Sequence, residues 1–401
     1  MIDPTLNRRS LLGGAAALAG LAALPHAVLA QAGPIKLGTL TPLTGAGGPY
    51  GPVMVKAVKA VVDEVNAAGG VLGREVEVIS EDDQTNPEAG VRAAHKLIDV
   101  DKVCAIMGTW ASAVTTAVAP LCWESKTFLT TVSGADSITL LPHQGYLVRT
   151  QPNTTLQGHK FGAFAIAQGA KRVFIVAPQT PFTKSSFDAI TEAVKQGGGE
   201  TGTLIYDDKK PAYRSEVDEM LRFKPDTLIL GGYMPDASVW LKDVFRAGFT
   251  GTKIAFAYAV NQKLVESVPA EAVEQTFTIA PSPAEGSKAY ERVAKLVGVS
   301  APDPYTAQIY DHVNLVLLAI AFAGEASGTA IKDNIRKVSQ AEGGLKVDNA
   351  LDGLKAIAAK QPIDYDGASG PCDFTDIGDI KDCKFRYAQV QGGKIVLLRI
   401  A

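Results

Sequence analysis

Short apolar runs alternate along this chain with longer stretches in which apolar residues return every three or four positions. IKLGTL at 35–40 predicts a buried strand. After it, Met54, Val58, Val61 and Val65 share one face while Lys56, Lys59 and Asp63 fall mostly off it. That is the spacing of an amphipathic helix, and Gly69-Gly70 stops it. REVEVIS (74–80) predicts a strand, NPEAGVRAAHKLI (86–98) a helix, VCAIMG (103–108) a strand, 112–123 a helix and FLTT (128–131) a strand. Such alternation is the rhythm of an open α/β domain on a parallel sheet.

YLVRTQPN (146–153) interrupts this series and a second one follows. It comprises strands at 172–177, 203–206, 226–232 and 253–259, with helices at 184–196, 214–221 and 237–247. QTFTIAPSP (275–283) is a second linker-like stretch. Helical patterns at 285–296, 304–323 and 329–339 have too few strands between them for a third domain and are assigned to the first. The tail, from GPCDF to IVLLRI, predicts turns and two or more short strands. The expected division is 31–150 with 281–365 as one lobe and 151–280 with 366–401 as the other. Two α/β lobes joined by extended crossings enclose a crevice beside strand C-termini and helix N-termini, the default place for a ligand.

The first thirty residues read differently. Asn7-Arg8-Arg9-Ser10-Leu11-Leu12 precedes the apolar GGAAALAGLAAL and the small-residue PHAVLA at 25–30. This is a secretory signal with cleavage expected near Ala30, and the paired arginines point to the twin-arginine route. Export makes the periplasm the expected location. It also makes the four cysteines candidates for bridges, with sequence proximity favouring Cys104–Cys122 and Cys372–Cys383. Cys104 within KVCAIMG also reads simply as a buried strand residue. No histidine cluster accompanies the cysteines, so no metal site is expected. A formal charge of −3 without a long basic run gives no footprint for nucleic acid.

Chemistry-bearing motifs are few. The loop TGAGGPYG (44–51) lacks the Lys-Ser/Thr of a phosphate loop and the compact glycine turn of a dinucleotide site. Its glycines turn the backbone while Pro49 and Tyr50 shape a rim. Asp82 and Asp83, ahead of Asn86-Pro87, read as strand-end and helix-cap residues. His95 and His312 lie in helical patterns without a nucleophile beside them and read as structural or surface residues. No nucleophile elbow, metalloprotease helix or acid–base pair is present in the sequence, so no enzyme and no cofactor are expected. The segment GTWASA at 108–113 ends a strand and opens a helix, and Thr130–Gly134 occupies the equivalent end of the next strand. These two loops either clamp a carboxylate with neutral hydrogen bonds or serve as helix caps alone.

Several stretches resemble one family over essentially all of the chain after the signal: IKLGTLTPLTG, GPYG before a helix ending NAAGG, VISEDDQTNPEAGVRAAHKLI, ILGGYMPDASVWLKDVFRAGF and SGPCDFTDIGD. The chain resembles the periplasmic leucine/isoleucine/valine-binding proteins, type I solute-binding proteins of ABC importers. The resemblance implies an α/β, two-lobed periplasmic-binding-protein type I fold. Each lobe would be an open, mostly parallel sheet flanked by helices, with three crossings between lobes. It implies a monomer that binds a small-molecule carboxylate and delivers it to permease subunits served by an ATPase. The carboxylate would be held by Ser112 and by the loop of Val132, Ser133 and Gly134. Phe182 and Tyr233 would close over the ligand, with Tyr50 and Trp110 at the rim.

One position departs from the family pattern. Its amino-acid receptors pair the ligand ammonium with a glutamate, and Tyr258 stands near that place here. A branched-chain or other hydrophobic amino acid remains one reading of the ligand. An aromatic or hydrophobic carboxylic acid without an ammonium is a second, and a small amide or urea a third. A ligand-sensing role is the rival to transport.

Overall fold

The computed structural model describes residues 33–401, so the signal, its route and its cleavage site lie outside the described residues. From the start of the described chain, β1 (Ile35–Thr41), α1 (Gly51–Ala67), β2 (Val76–Asp82), α2 (Pro87–His95), β3 (Ala105–Gly108), α3 (Ser112–Ser125), β4 (Phe128–Thr131) and β5 (Leu147–Arg149) follow in order. They form a parallel five-stranded sheet, β2-β1-β3-β4-β5. Met54, Val58, Val61 and Val65 of α1 are all buried against it. Asn86 caps α2 by accepting the N–H of Ala89, and Pro87 opens the helix without needing a donor.

The chain then builds a second sheet. α4 (Thr154–Ala167), β6 (Arg172–Pro178), α5 (Pro181–Gln196), β7 (Glu200–Tyr206), α6 (Arg214–Arg222), β8 (Thr227–Leu230), α7 (Met234–Arg246), β9 (Thr252–Phe256), α8 (Gln262–Ser267), α9 (Ala270–Val273) and β10 (Phe277–Pro281) lead to its middle. It goes back to the first core with α10 (Lys288–Val297), α11 (Pro304–Ala323), α12 (Gly328–Ser339), β11 (Leu345–Val347), α13 (Ala350–Ala358), β12 (Ile363–Gly367) and β13 (Gly370–Pro371). β14 (Phe385–Gln391) and β15 (Lys394–Ile400) complete the second sheet, ordered β15-β14-β10-β9-β8-β6-β7. Five of its strands are parallel, and β14 and β15 are antiparallel at one edge. The chain therefore passes between sheets three times, at 150–153, 282–287 and 375–384. α11 is long and apolar enough to cross a membrane by length and composition, yet it is the central helix of the first core.

Both linker-like stretches contain a strand: 146–153 holds β5 and 275–283 holds β10. Each is a sheet strand whose C-terminal end runs straight into a crossing, so its short apolar run merges with the Pro-containing exit. α4 has no counterpart among the expectations. Its small and apolar residues are spread round the helix, weakening the 3.6-residue signal. Gly158 and Gly162 bring its backbone onto α5; a Cβ at those sites would sit 2.6 and 2.5 Å from the Cβ atoms of Ala189 and Ala193. The small sheet β11-β12-β13 was likewise not anticipated.

The expected disulfides are corrected. Cys104, Cys122, Cys372 and Cys383 are all free thiols. Cys372 is buried in the core of the first lobe, whereas Cys383 packs against a core cluster of the second. Cys104 approaches the carbonyl of Lys36 at 3.5 Å, and Cys122 packs into the core from α3. Burial pushes the thiols of Cys104, Cys122 and Cys383 up to about 12, so they stay protonated and unreactive. The protein denatured without reductant should titrate as four thiols, and reductant should leave its Tm unchanged. A bridge would show as two missing thiols and as a reductant-sensitive loss of about 2–5 kcal/mol.

Candidate functional site

The glycine-rich loop after β1 spends its donors on protein groups. Asp82, at the end of β2, accepts the N–H of Leu43 at 2.9 Å and of Thr44 at 3.2 Å, and the Thr44 hydroxyl at 2.6 Å. The N–H of Gly47 goes to the Thr85 hydroxyl at 2.9 Å. These are the nitrogens a phosphate would need. The loop is instead a fixed rim that ends at Tyr50, the residue capping α1.

At the end of β3 the chain turns through Thr109–Ala111 into α3. Ala111 supplies no side-chain cap, so first-turn N–H groups of α3 open toward the cleft with the positive end of the helix dipole. Ser112 sits at that turn, its Oγ accepting the N–H of Ala135 at 3.2 Å. Ser133 has a different job. Its hydroxyl donates to the carbonyls of Thr109 at 2.8 Å or Trp110 at 3.0 Å and also contacts the Thr115 hydroxyl. It ties the two loops together beneath the cleft. Gly134 lets its loop approach the opposite lobe: a Cβ there would meet Gln157 Nε2 at 2.8 Å and Phe182 Cε2 at 3.0 Å.

From the two lobes, aromatic rings meet over these loops. Tyr50 stacks on Trp110 at 5.6 Å, and Tyr305 stands edge-on to both at 5.2 and 5.7 Å. Across the cleft, Tyr233 and Tyr258 lie 5.5 and 5.8 Å from Trp110, and Phe182 lies 6.1 Å from Tyr258. The Tyr50 hydroxyl accepts from Asn261 Nδ2 at 3.2 Å and reaches the carbonyl of Tyr258 at 3.5 Å, clasping the lobes at the rim. Burial pushes the hydroxyls of Tyr50, Tyr233, Tyr258 and Tyr305 well above their ordinary value, so the set is uncharged.

Within this seam lies a cavity of about 40 Å³. Trp110, Ser112, Val132, Gly134, Phe182, Tyr233 and Tyr258 of the sequence-derived set line it. Ser133 and Tyr50 do not line it. Sequence reasoning missed Tyr305, Gln151 and Thr180. Tyr305 stands two residues after the helix-capping Asp303, a signal legible in Asp303-Pro304, but only the second crossing brings it beside Trp110. No lining residue is Asp or Glu. Two buried carboxylates lie in reach of Tyr233 but outside the cavity. Burial raises Asp236 to about 6 against a 2.5 Å hydrogen bond donated by the Tyr206 hydroxyl. Burial raises Asp83 to about 7 despite the N–H of Thr85.

The loop 133–139 is held from below by Arg149. This fully buried guanidinium pairs with Asp379 of the third crossing at 2.6 Å and donates to the carbonyl of Ala135 at 2.7 Å and the Thr139 hydroxyl at 3.2 Å. The next two residues are also fixed: Thr150 bonds His312 Nε2 at 2.8 Å, and Gln151 accepts from Gln308 at 2.8 Å. Burial pushes His312 down to about 3, so it is a neutral partner. His95 is an exposed residue beside Asp99.

Two α/β lobes, three crossings and a ring-lined cleft over a helix N-terminus define a protein that binds a solute between its lobes. The chain belongs to the periplasmic binding protein family, whose model matches residues 34–390. This is a family of binding proteins and not of catalysts. The chain is similar to the chemotactic signal transduction system substrate-binding protein BasB of Halobacterium salinarum, at 26% identity over 85% of this chain and 84% of that one. In fold it is similar to a leucine binding protein LivK from Thermotoga maritima, with TM-score 0.77, 23% identity, and 91% and 98% of the two chains covered. It is also similar to a solute-binding protein from R. palustris solved with benzoate, with TM-score 0.73, 19% identity, and 92% and 96% covered.

Removing one partner of the Arg149–Asp379 pair strands a buried charge. Arg149→Met and Asp379→Ala should each cost about 3–5 kcal/mol in denaturant unfolding; a cost below about 1 kcal/mol would show the pair to be dispensable. Asp83 gives a pH signature. The folded chain keeps its proton between the ordinary aspartate range and about pH 7 while the unfolded chain loses it, so Asp83 lowers stability as pH rises through that window. The stability of Asp83→Asn relative to the parent should therefore grow from about pH 4 to about pH 7, by on the order of 1.4 kcal/mol per unit, and be flat above. A difference constant with pH would contradict it.

Proposed function

We propose that this protein is the extracytoplasmic solute-binding component of an ABC importer and that its ligand is an aromatic or hydrophobic carboxylic acid without an ammonium group. The carrying observation is the composition of the cleft cavity: rings, hydroxyls and a helix N-terminus, with no carboxylate in the lining. An ammonium buried there would lose its hydration without gaining a charged partner, at a cost of several kcal/mol. A carboxylate needs only neutral donors, and the Ser112 hydroxyl with the first-turn N–H groups of α3 supplies them. The flat body of the ligand then replaces the ring-on-ring contacts of Trp110 with Tyr233 and Tyr258.

Binding works by bridging. The anionic end sits on the first lobe and the apolar end against Phe182, Tyr233 and Tyr258 of the second, so ligand favours the closed arrangement. The permease would read the two lobe surfaces that closure brings side by side. The solved R. palustris relative with benzoate supports an aromatic acid. The leucine binding relative supports a hydrophobic amino acid, whose ammonium would rest on the ring faces by cation–π attraction. The relative of the chemotactic system keeps a sensing partner as an alternative to the permease.

The test is calorimetric titration of the purified protein with benzoate, 4-hydroxybenzoate, phenylacetate, phenylalanine, leucine, glutamate and urea. The aromatic acids should bind and their α-amino counterparts be rejected, with Ser112→Ala weakening binding by roughly tenfold or more. Tight binding of leucine or phenylalanine with phenylacetate rejected would assign an amino-acid receptor instead.

A further inference from the structure

The larger void between the lobes is not the one over Ser112. On the other side of Tyr258 and Tyr305 lies a chamber of about 280 Å³, against about 40 Å³ for the cavity above the α3 N-terminus. Those two tyrosines line both spaces, so the two cavities adjoin at their side chains. The small cavity is of the order of one water's share of liquid, about 30 Å³. Ligand sites in general run from about 300 Å³ upward. The chamber supplies the missing room.

Its walls are mostly apolar and come from both lobes, Phe256, Ile279 and Ala280 from one side and Pro302 and Pro304 from the other, with Gln157, Asn261, Gln262 and Thr278 among the polar lining. Two charged residues, Asp303 and Arg386, reach it. Asp303 accepts the N–H groups of Tyr305 and Thr306 and the Thr306 hydroxyl, and Arg386 faces Glu285 at 3.7 Å. Glu285 offsets the charge of Arg386, although the buried Arg386 Nε and Glu285 Oε1 make no hydrogen bond. Tyr50, whose hydroxyl is bonded across the cleft, closes the same chamber at its rim.

We infer that the chamber behind Tyr258 and Tyr305 is the distal part of the ligand site, and that the solute is an elongated carboxylate. Its anionic head lies at Ser112 and its uncharged apolar tail passes the two rings. This rests on the carboxylate reading above and adds a length requirement to it. Tyr258 and Tyr305 are then specificity-determining: they lie against the middle of the ligand, and their rotation opens the path. The tail displaces ring–ring contact and fills space bounded by apolar walls, so affinity should rise with each methylene buried.

The experiment measures the affinity of the purified protein for two series. One runs from benzoate through phenylacetate and 3-phenylpropanoate to 5-phenylpentanoate, the other from butanoate to decanoate. Affinity should climb by about fourfold per methylene, the equivalent of about 0.8 kcal/mol, until the chamber is full. Ala280→Leu and Ala301→Phe, which fill the chamber from opposite lobes, should weaken the longest members at least tenfold and leave benzoate unchanged. Ala301 is exposed in a loop, so its variant is not expected to disturb folding, and the unmodified protein's length profile decides the matter without either variant. Binding of benzoate with rejection of the longer acids overturns the inference and leaves the carboxylate reading standing. Equal weakening of short and long ligands by both variants also overturns it. Failure of every carboxylate to bind overturns both.

Discussion

A single buried cation organises the parts that meet at the cleft. Arg149 ends the last strand of the first sheet with no solvent exposure, and removing a guanidinium from water costs several kcal/mol unless its fork is filled. Here it is filled by Asp379, Ala135 and Thr139. Those partners belong to two pieces of chain, the third crossing and the 133–139 loop beneath the cleft. The desolvation cost therefore acts as a constraint on geometry. The loop beside the cleft cavity is positioned by the same group that fixes where two crossings leave the first lobe. Thr150 with His312 and Gln151 with Gln308 extend that anchorage onto the central helix.

Above this base the site is built from uncharged groups. The donors aimed at the cleft are a hydroxyl and helix-terminal N–H groups, and the opposite wall is aromatic. Nearby carboxylates are spent elsewhere: Asp82 on the rim loop, Asp303 on its own helix cap and Asp236 on the Tyr206 hydroxyl. No acid lines the cavity, so the lining has little means of compensating a cation. The rim loop illustrates the same economy of donors. Its glycines invite a phosphate reading, but Asp82 and Thr85 already occupy the N–H groups that would serve one.

Much of this was legible in the sequence because periodicity is local. α1 with its buried face, the strand FLTT and the long helix 304–323 follow from spacing and end signals within a few residues. The loops of Trp110 and Ser112 were legible as a strand end and helix start, whereas Phe182, Tyr233 and Tyr258 came from the family resemblance; all five line the cavity. What was not legible depends on chain returns. β10 read as a linker because its strand pairs with β9 and with β14, more than a hundred residues later. Tyr305 was missed because its neighbour Trp110 lies across two crossings. The cysteine spacing misled for the same reason: proximity in sequence put Cys372 and Cys383 together, while the third crossing sends them to different cores.

The distribution of space across the cleft follows from this arrangement. The loops at the cleft floor are held by Arg149 and by the hydroxyls of Ser133 and Thr115, so they have little freedom to recede from the rings facing them. Phe182 is brought close by Gly134, and Tyr233 and Tyr258 lean on Trp110 from the second lobe. Close approach there leaves little volume over Ser112. Past Tyr258 and Tyr305 the larger chamber lies between the chain at 302–304 and β10 with its edge strands. A tight space over Ser112 and a roomier chamber beyond Tyr258 and Tyr305 thus share one scaffold, clasped across the lobes at the Tyr50 rim.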